Sequence, residues 1–258
     1  MTKICSFKAI RPVRDKVQLV ATKPYYSYKK NILKAKLESN PFTFLHIINP
    51  EFGSPQKTKP NSKERFELVK KGYEEFITKS ILIQEDEPKI YYYKQTKGGH
   101  EFGGVIAGAN VEEYDNGLIK KHEATITSRE NIFIDYLDIV GYNAEPVLLT
   151  HEPNPSLDKL LIEITKKRPE YEYSTTDQIK HELWVINEKE NKLIKEEFEK
   201  ISSVYIADGH HRCASSSGLY KKKKNLTTFK NEDYFLAFFM DERQIKILEF
   251  NRLVNTLN

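Results

Sequence analysis

The stretch Ser203-Val204-Tyr205-Ile206-Ala207-Asp208-Gly209-His210-His211-Arg212-Cys213-Ala214-Ser215-Ser216-Ser217-Gly218 carries the reading of this chain. Residues Val204 to Ala207 are a short apolar run rich in β-formers and predict a strand. From His211 to Lys222 the spacing predicts a helix that opens on small residues. Gly209 permits a tight turn between the two. The free amides of the new helix and the Arg212 guanidinium then make a receptacle for anionic oxygens, with phosphate as the obvious ligand. Ala214 and Ser215 to Ser217 let another element, or a ligand, come close. The plainer alternative is that Asp208 caps the helix and the histidines are surface residues. Two adjacent histidines are rarely needed for capping, and Asp208, His210, His211 and Arg212 within five residues form a dense titratable set. Adjacent histidines point apart in a helix or strand and no HExxH is present, so zinc is not the expectation here.

Working outward, strands are expected at Phe42 to Ile48, Glu145 to Leu149, His181 to Ile186, Tyr234 to Met240 and Ile245 to Phe250. Lys89 to Thr96 and Glu101 to Ala109 flank Lys97-Gly98-Gly99-His100 and predict a β-hairpin. Helices are expected at Arg129 to Val140, Ser156 to Lys167 and Glu188 to Ile201. Another begins after the polar loop Ser54 to Ser62, with Phe66, Val69, Tyr73, Phe76 and Ile77 on one face and Asn61 and Glu64 placed to cap its start. Strands and helices mix without strict alternation, which points to an α+β fold with a mixed sheet and not to a doubly wound domain. No GxGxxG or P-loop sequence is present. One domain over 1–258 is expected, with an N-terminal lobe of about 1–112 carrying the hairpin and a core of about 113–258.

The 258 residues hold 41 basic and 37 acidic side chains, interspersed, for a net charge of +4. That balance argues against nucleic acid, and the one dense run, Lys221 to Lys224, lacks interleaved aromatics and reads as a solvated helix end. Cys5 and Cys213 lie far apart without metal-ligand spacing, as in a reducing cytoplasm. No stretch approaches a membrane span and the N-terminus has no apolar leader, so a cytoplasmic protein is expected. A homo-oligomer is compatible with the sequence.

Three further clusters bear on chemistry. Lys120-Lys121-His122-Glu123 follows the turn Tyr114-Asp115-Asn116-Gly117. Glu123 there can take a proton from a substrate hydroxyl, with Lys121 and His122 positioning charge, or serve as a solvated salt-bridging residue. His46 lies inside the expected strand at Phe42 to Ile48, with Glu51 just beyond its end. A lone strand histidine is more often a core residue than a ligand. Arg11, in Ala9-Ile10-Arg11-Pro12, suits a ligand or a surface ion pair.

Taken in order, Ala9 to Pro12, Leu45 to Glu51, Asn116 to Glu123, Ala144-Glu145-Pro146, His181 to Ile186, Tyr205 to Arg212 and Phe250 to Val254 resemble the DUF1015 family over essentially the whole chain. The resemblance implies L-serine kinase activity with pyrophosphate as phosphoryl donor, ADP or ATP being alternatives the turn would also serve. It implies a core similar to archaeal free-serine kinases of the ParB/sulfiredoxin-like superfamily, in which a His-Glu pair, a helix, a strand beginning near proline and an Asp-Gly-His-His-Arg turn follow in this order. On that likeness Glu123 is the base for the serine hydroxyl, assisted by His122 and Asp208. Lys121, Gly209, His210, His211 and Arg212 hold the donor phosphates, Asp208 holds Mg2+, and His46, Glu51, Arg11 and Arg252 are candidate substrate contacts.

Three departures qualify the likeness. Tyr26 stands where the family carries Asp after Pro-Tyr, and Ile132 and Phe133 stand where it shows Asp-Arg, with Arg129 a helical turn earlier. Family members also continue beyond the Phe250 to Val254 segment, so a truncated or naturally short chain is expected. A second reading is therefore kept, a binding protein for a nucleotide or pyrophosphate that does not turn it over.

Overall fold

The computed structural model describes residues 2–227 and 231–247. The strand expected at the centre of the reading is β10 (Val204–Asp208). On one side it pairs in parallel with β6 (Ile119–Lys120), and on the other antiparallel with β7 (Val147–His151). Next to β7, in parallel, runs β11 (Tyr234–Asp241), then antiparallel β5 (His100–Asn110), β4 (Tyr91–Lys97), β9 (Lys180–Val185) and β8 (Tyr171–Ser174). β1 (Ile4–Cys5) adds to β5, which makes nine strands in one mixed sheet among the described residues. A separate ribbon joins β2 (Ile10–Pro12) to β3 (Leu82–Gln84). With the helices below, this is an α+β fold. The hairpin β4–β5 turns on Gly98 and Gly99, whose φ values of 55° and 81° are those a two-residue turn of this hand requires.

Two apolar clusters hold the layers. Alternating side chains of β7 and β11, such as Val147, Leu149, Phe235 and Phe239, pack under α7 (Pro155–Thr165) and α8 (Glu188–Glu199) through Leu157, Ile164, Ile194 and Phe198. In the second cluster α4 (Lys63–Thr78) supplies Phe66, Val69 and Phe76. These meet Val20 of the short helix α1 (Val17–Val20) and Val140 of α6 (Thr127–Val140). Each fully buried side chain of this size contributes about 1.5–3 kcal/mol relative to exposure.

Several expectations change. Residues Phe42 to Ile48 are not a strand. Leu45–Ile48 form a single helical turn, α3, preceded by α2 (Lys30–Ser39). Its apolar run is short enough to suit either period, and Asn49 closes the turn by donating its side-chain amide to the Leu45 carbonyl at 3.0 Å. At α4 the cap is Ser62, which accepts from the Arg65 amide at 3.3 Å, whereas Asn61 lies outside with φ 59°. Ile245 to Ile247 are irregular after a 3-10 turn, Glu242–Gln244, and the rest of the strand expected there lies outside the described residues, as does Arg252. No helix among the described residues is long and apolar enough to cross a membrane.

Candidate functional site

The parallel register of β6 and β10 decides what meets what. Ile119 lies opposite Val204 and Lys120 opposite Tyr205, so both strands leave the sheet at the same end. The segment from Lys121 to Glu123 therefore emerges beside Asp208 and Gly209. The ladder between β10 and β7 shifts register between Ile206 and Asp208, a bulge that re-aims the chain as it enters the turn. Gly209 follows with φ +103° and is the N-cap of α9 (His210–Lys223). No side chain caps this helix, so Asp208 does not play the capping role, and the first-turn amides are left for another acceptor. The head of α6, capped by no side chain either, follows Glu123 closely in sequence.

Around that turn His210 is 5% exposed, and its Nδ1 stands 3.6 Å from Glu123 Oε2. The ring of His122 meets the His210 ring edge-on, with centroids 4.4 Å apart. His122, Glu123 and His210 each bring one ligand-type atom to within 4.8 Å of the others. Burial, reinforced by His122, pushes the His210 imidazole below its usual pKa, against the opposite pull of Glu123 and Asp208. Nε2 of His210 and Nδ1 of His211 are buried without a hydrogen-bond partner among the described residues.

Arg212 reaches back over the turn. It pairs with Asp208, lies 2.8 Å from Glu145 and donates to the Pro146 carbonyl at 2.9 Å. Lys121 places its ammonium 3.5 Å from the centroid of the Tyr114 ring on the short helix α5 (Val111–Asp115), a cation–π contact. Glu145 and Tyr114 were not singled out from sequence. Glu145 lay in view beside Pro146, but nothing local joins it to Arg212. The small face of α9 admits another element: a Cβ on Gly218 would meet Ile134 of α6 at 2.3 Å. Its serines are bonded within the protein, Ser217 to Asp115 at 2.7 Å and Ser215 to the His211 carbonyl at 2.6 Å.

The other candidate residues have partners elsewhere. Arg11 donates to Glu85, to Glu170 at 3.2 Å and to the Tyr171 hydroxyl, and lines a cleft of ≈ 500 Å³. His46 shares a hydrogen bond of 3.1 Å with the Asn40 carbonyl. Glu51 accepts from the Thr58 amide and pairs with Arg65, bracing the loop beside a cavity of ≈ 630 Å³. The Thr58 amide also holds the Glu51 carboxyl below its ordinary pKa. Neither cavity is lined by residues 121–123 or 208–212. Tyr26, Ile132 and Phe133 are exposed.

The family model described as "Protein of unknown function (DUF1015)" matches residues 4–258. The chain belongs to the DUF1015 family. No curated protein and no solved structure matches it. Within this DUF1015 chain, the two segments that are joined by the β6–β10 pairing are those with the densest titratable chemistry.

Proposed function

We propose that this DUF1015 protein transfers a phosphoryl group from pyrophosphate, or from ADP or ATP, to the hydroxyl of free L-serine, giving O-phosphoserine. The observation that supports this most is the placing of Glu123 3.6 Å from His210 at the uncapped head of α9. Phosphoryl transfer asks little covalent work of a protein, and position plus electrostatic complementarity carry most of the stabilisation. The amides of His210, His211 and Arg212, with the Arg212 guanidinium, bind the donor phosphates. Glu123 is 65% exposed, is free of hydrogen-bonding neighbours among the described residues, and takes the serine hydroxyl proton. The region of about 113–258 carries, on this reading, a ParB/sulfiredoxin-like core.

Magnesium suits the turn in one respect. The Asp208 carboxylate, 71% exposed beside Arg212, offers the kind of oxygen ligand that magnesium takes alongside donor phosphates. Bound there, it would neutralise phosphate charge.

The test is incubation with L-serine, magnesium and each donor in turn, with O-phosphoserine read by phosphorus NMR. Glu123→Gln lowers the rate by about 10²–10⁴-fold at unchanged fold. A well-folded protein that makes no product with any donor refutes the proposal. Exposed Tyr26, Ile132 and Phe133, in place of the acidic and basic residues that the family likeness implies, favour a second reading: donor binding without turnover. Calorimetric affinity for pyrophosphate that is lost in His211→Ala, with no serine product, supports that alternative.

A further inference from the structure

We propose that His122, Glu123 and His210 form a site for a divalent transition-metal ion of the zinc or cobalt(II) class, separate from any magnesium at Asp208. The three ligand-type atoms lie within 4.8 Å of one another. In a tetrahedral set with metal–ligand bonds of about 2.0–2.1 Å, neighbouring ligand atoms are about 3.4 Å apart. The Nδ1 to Oε2 separation of 3.6 Å already matches that edge. Bringing the third atom in takes movement of little more than about 1 Å. His122 and Glu123 have that freedom, because both are exposed and lie in the irregular segment after β6.

A second observation concerns the fixed member of the trio. His210 is 5% exposed and held at the first residue of α9; its Nε2 has no hydrogen-bond partner among the described residues, and its Nδ1 faces the Glu123 carboxylate at 3.6 Å, beyond hydrogen-bond distance. A buried imidazole normally satisfies at least one nitrogen. This one instead turns Nδ1 toward a carboxylate and a second imidazole, as a metal ligand does. The donor set decides the ion class: two imidazoles and one carboxylate suit zinc, iron, cobalt or nickel, whereas magnesium takes oxygens. Three protein ligands leave a coordination position open. The positive end of α9 opposes a cation there, and the Glu123 carboxylate offsets it. Arg212 is already engaged by Asp208, Glu145 and the Pro146 carbonyl.

One consequence rests on the proposed function. An ion seated on the trio engages the carboxylate that would accept the serine proton, so zinc or cobalt inhibits the transfer.

The site itself is tested without substrate or donor, by titrating cobalt(II) into the full chain and following its visible absorption. One ion per chain is expected, with the intense absorption of four- or five-coordinate cobalt, displaced by zinc and not by excess magnesium. His122→Ala, at an exposed position that leaves folding intact, weakens cobalt binding by at least about tenfold. His210→Gln removes the absorption, and Asp208→Asn retains it. The proposal is overturned if the folded wild-type chain takes up no cobalt, or if His122→Ala binds it as tightly as wild type. Because the readout is spectroscopic, it stands or falls apart from serine phosphorylation.

Discussion

Replacing Gly209 by alanine puts a methyl group into the most constrained point of the turn. With φ at +103°, an L side chain is strained there at a cost of about 1–2 kcal/mol. The new Cβ would also lie 2.8 Å from Arg212 Nε, 3.1 Å from Nη2 and 3.2 Å from Cζ. The guanidinium must therefore move. Its bond to the Pro146 carbonyl at 2.9 Å is the contact most exposed to that movement. A hydrogen bond to a charged group contributes about 1.5–3 kcal/mol, while pairs with exposed partners such as Asp208 and Glu145 contribute about 0–1 each. Partial retention of these contacts gives a total loss of about 2–4 kcal/mol. In a chain of this size that lowers the thermal midpoint by about 5–15 °C, readable by calorimetry. Arg212→Ala removes the obstructing side chain, so Gly209→Ala in that background costs only the backbone part. The double-mutant cycle then shows a coupling of about 1–2 kcal/mol. A midpoint within about 2 °C of wild type, or equal losses in both backgrounds, would refute the reasoning.

Burial pushes the Cys213 thiol up to about 12, so iodoacetamide at about pH 8 labels Cys5 and leaves Cys213 unmodified until the chain is unfolded, as peptide mass spectrometry would show. His181, which is packed against Tyr93 and Tyr173 with Nε2 buried, has its pKa pulled below 6.5 by burial. The unfolded chain then takes up that proton first. This contribution is absent above pH 6.5 and destabilises as pH falls through 6.5 toward the folded value. His181→Phe should flatten that part of the stability profile in urea titrations at a series of pH values. An unchanged slope would count against the assignment.

Much of the architecture was legible because local signals agreed. The unbroken apolar, aromatic-rich run Tyr234 to Met240, the glycine pair at Gly98 and Gly99, and the amphipathic spacing from Phe66 to Ile77 each point to one structure. The run Phe42 to Ile48 failed because Leu45 and Ile47 satisfy a strand period as well as one turn of helix, and only packing chose between them. Short strands such as Ile119–Lys120 carry too few residues to show a period.

At the site, sequence placed Glu123 and His210 in two dense clusters but gave no measure of their separation. The adjacent pair His210 and His211 argued against a metal. The His122–Glu123–His210 trio depends on a strand register that no local pattern encodes. The partners of Arg11 are equally long-range, reaching to Glu170 and Tyr171, whereas Glu51 finds Arg65 only 14 residues further along the chain.

The two-residue strand β6 also sets when this site comes into being. Between Lys120 and Val204 the chain threads through α6, β7, α7, β8, β9 and α8. Closing so long a loop for two residue pairs cannot lead the folding reaction, because the entropy lost exceeds what the small ladder returns. β10, held on its other side by β7, then offers its free edge to β6. Glu123 and His210 therefore meet late, and in a refolding experiment a probe of their proximity lags behind the recovery of backbone dichroism.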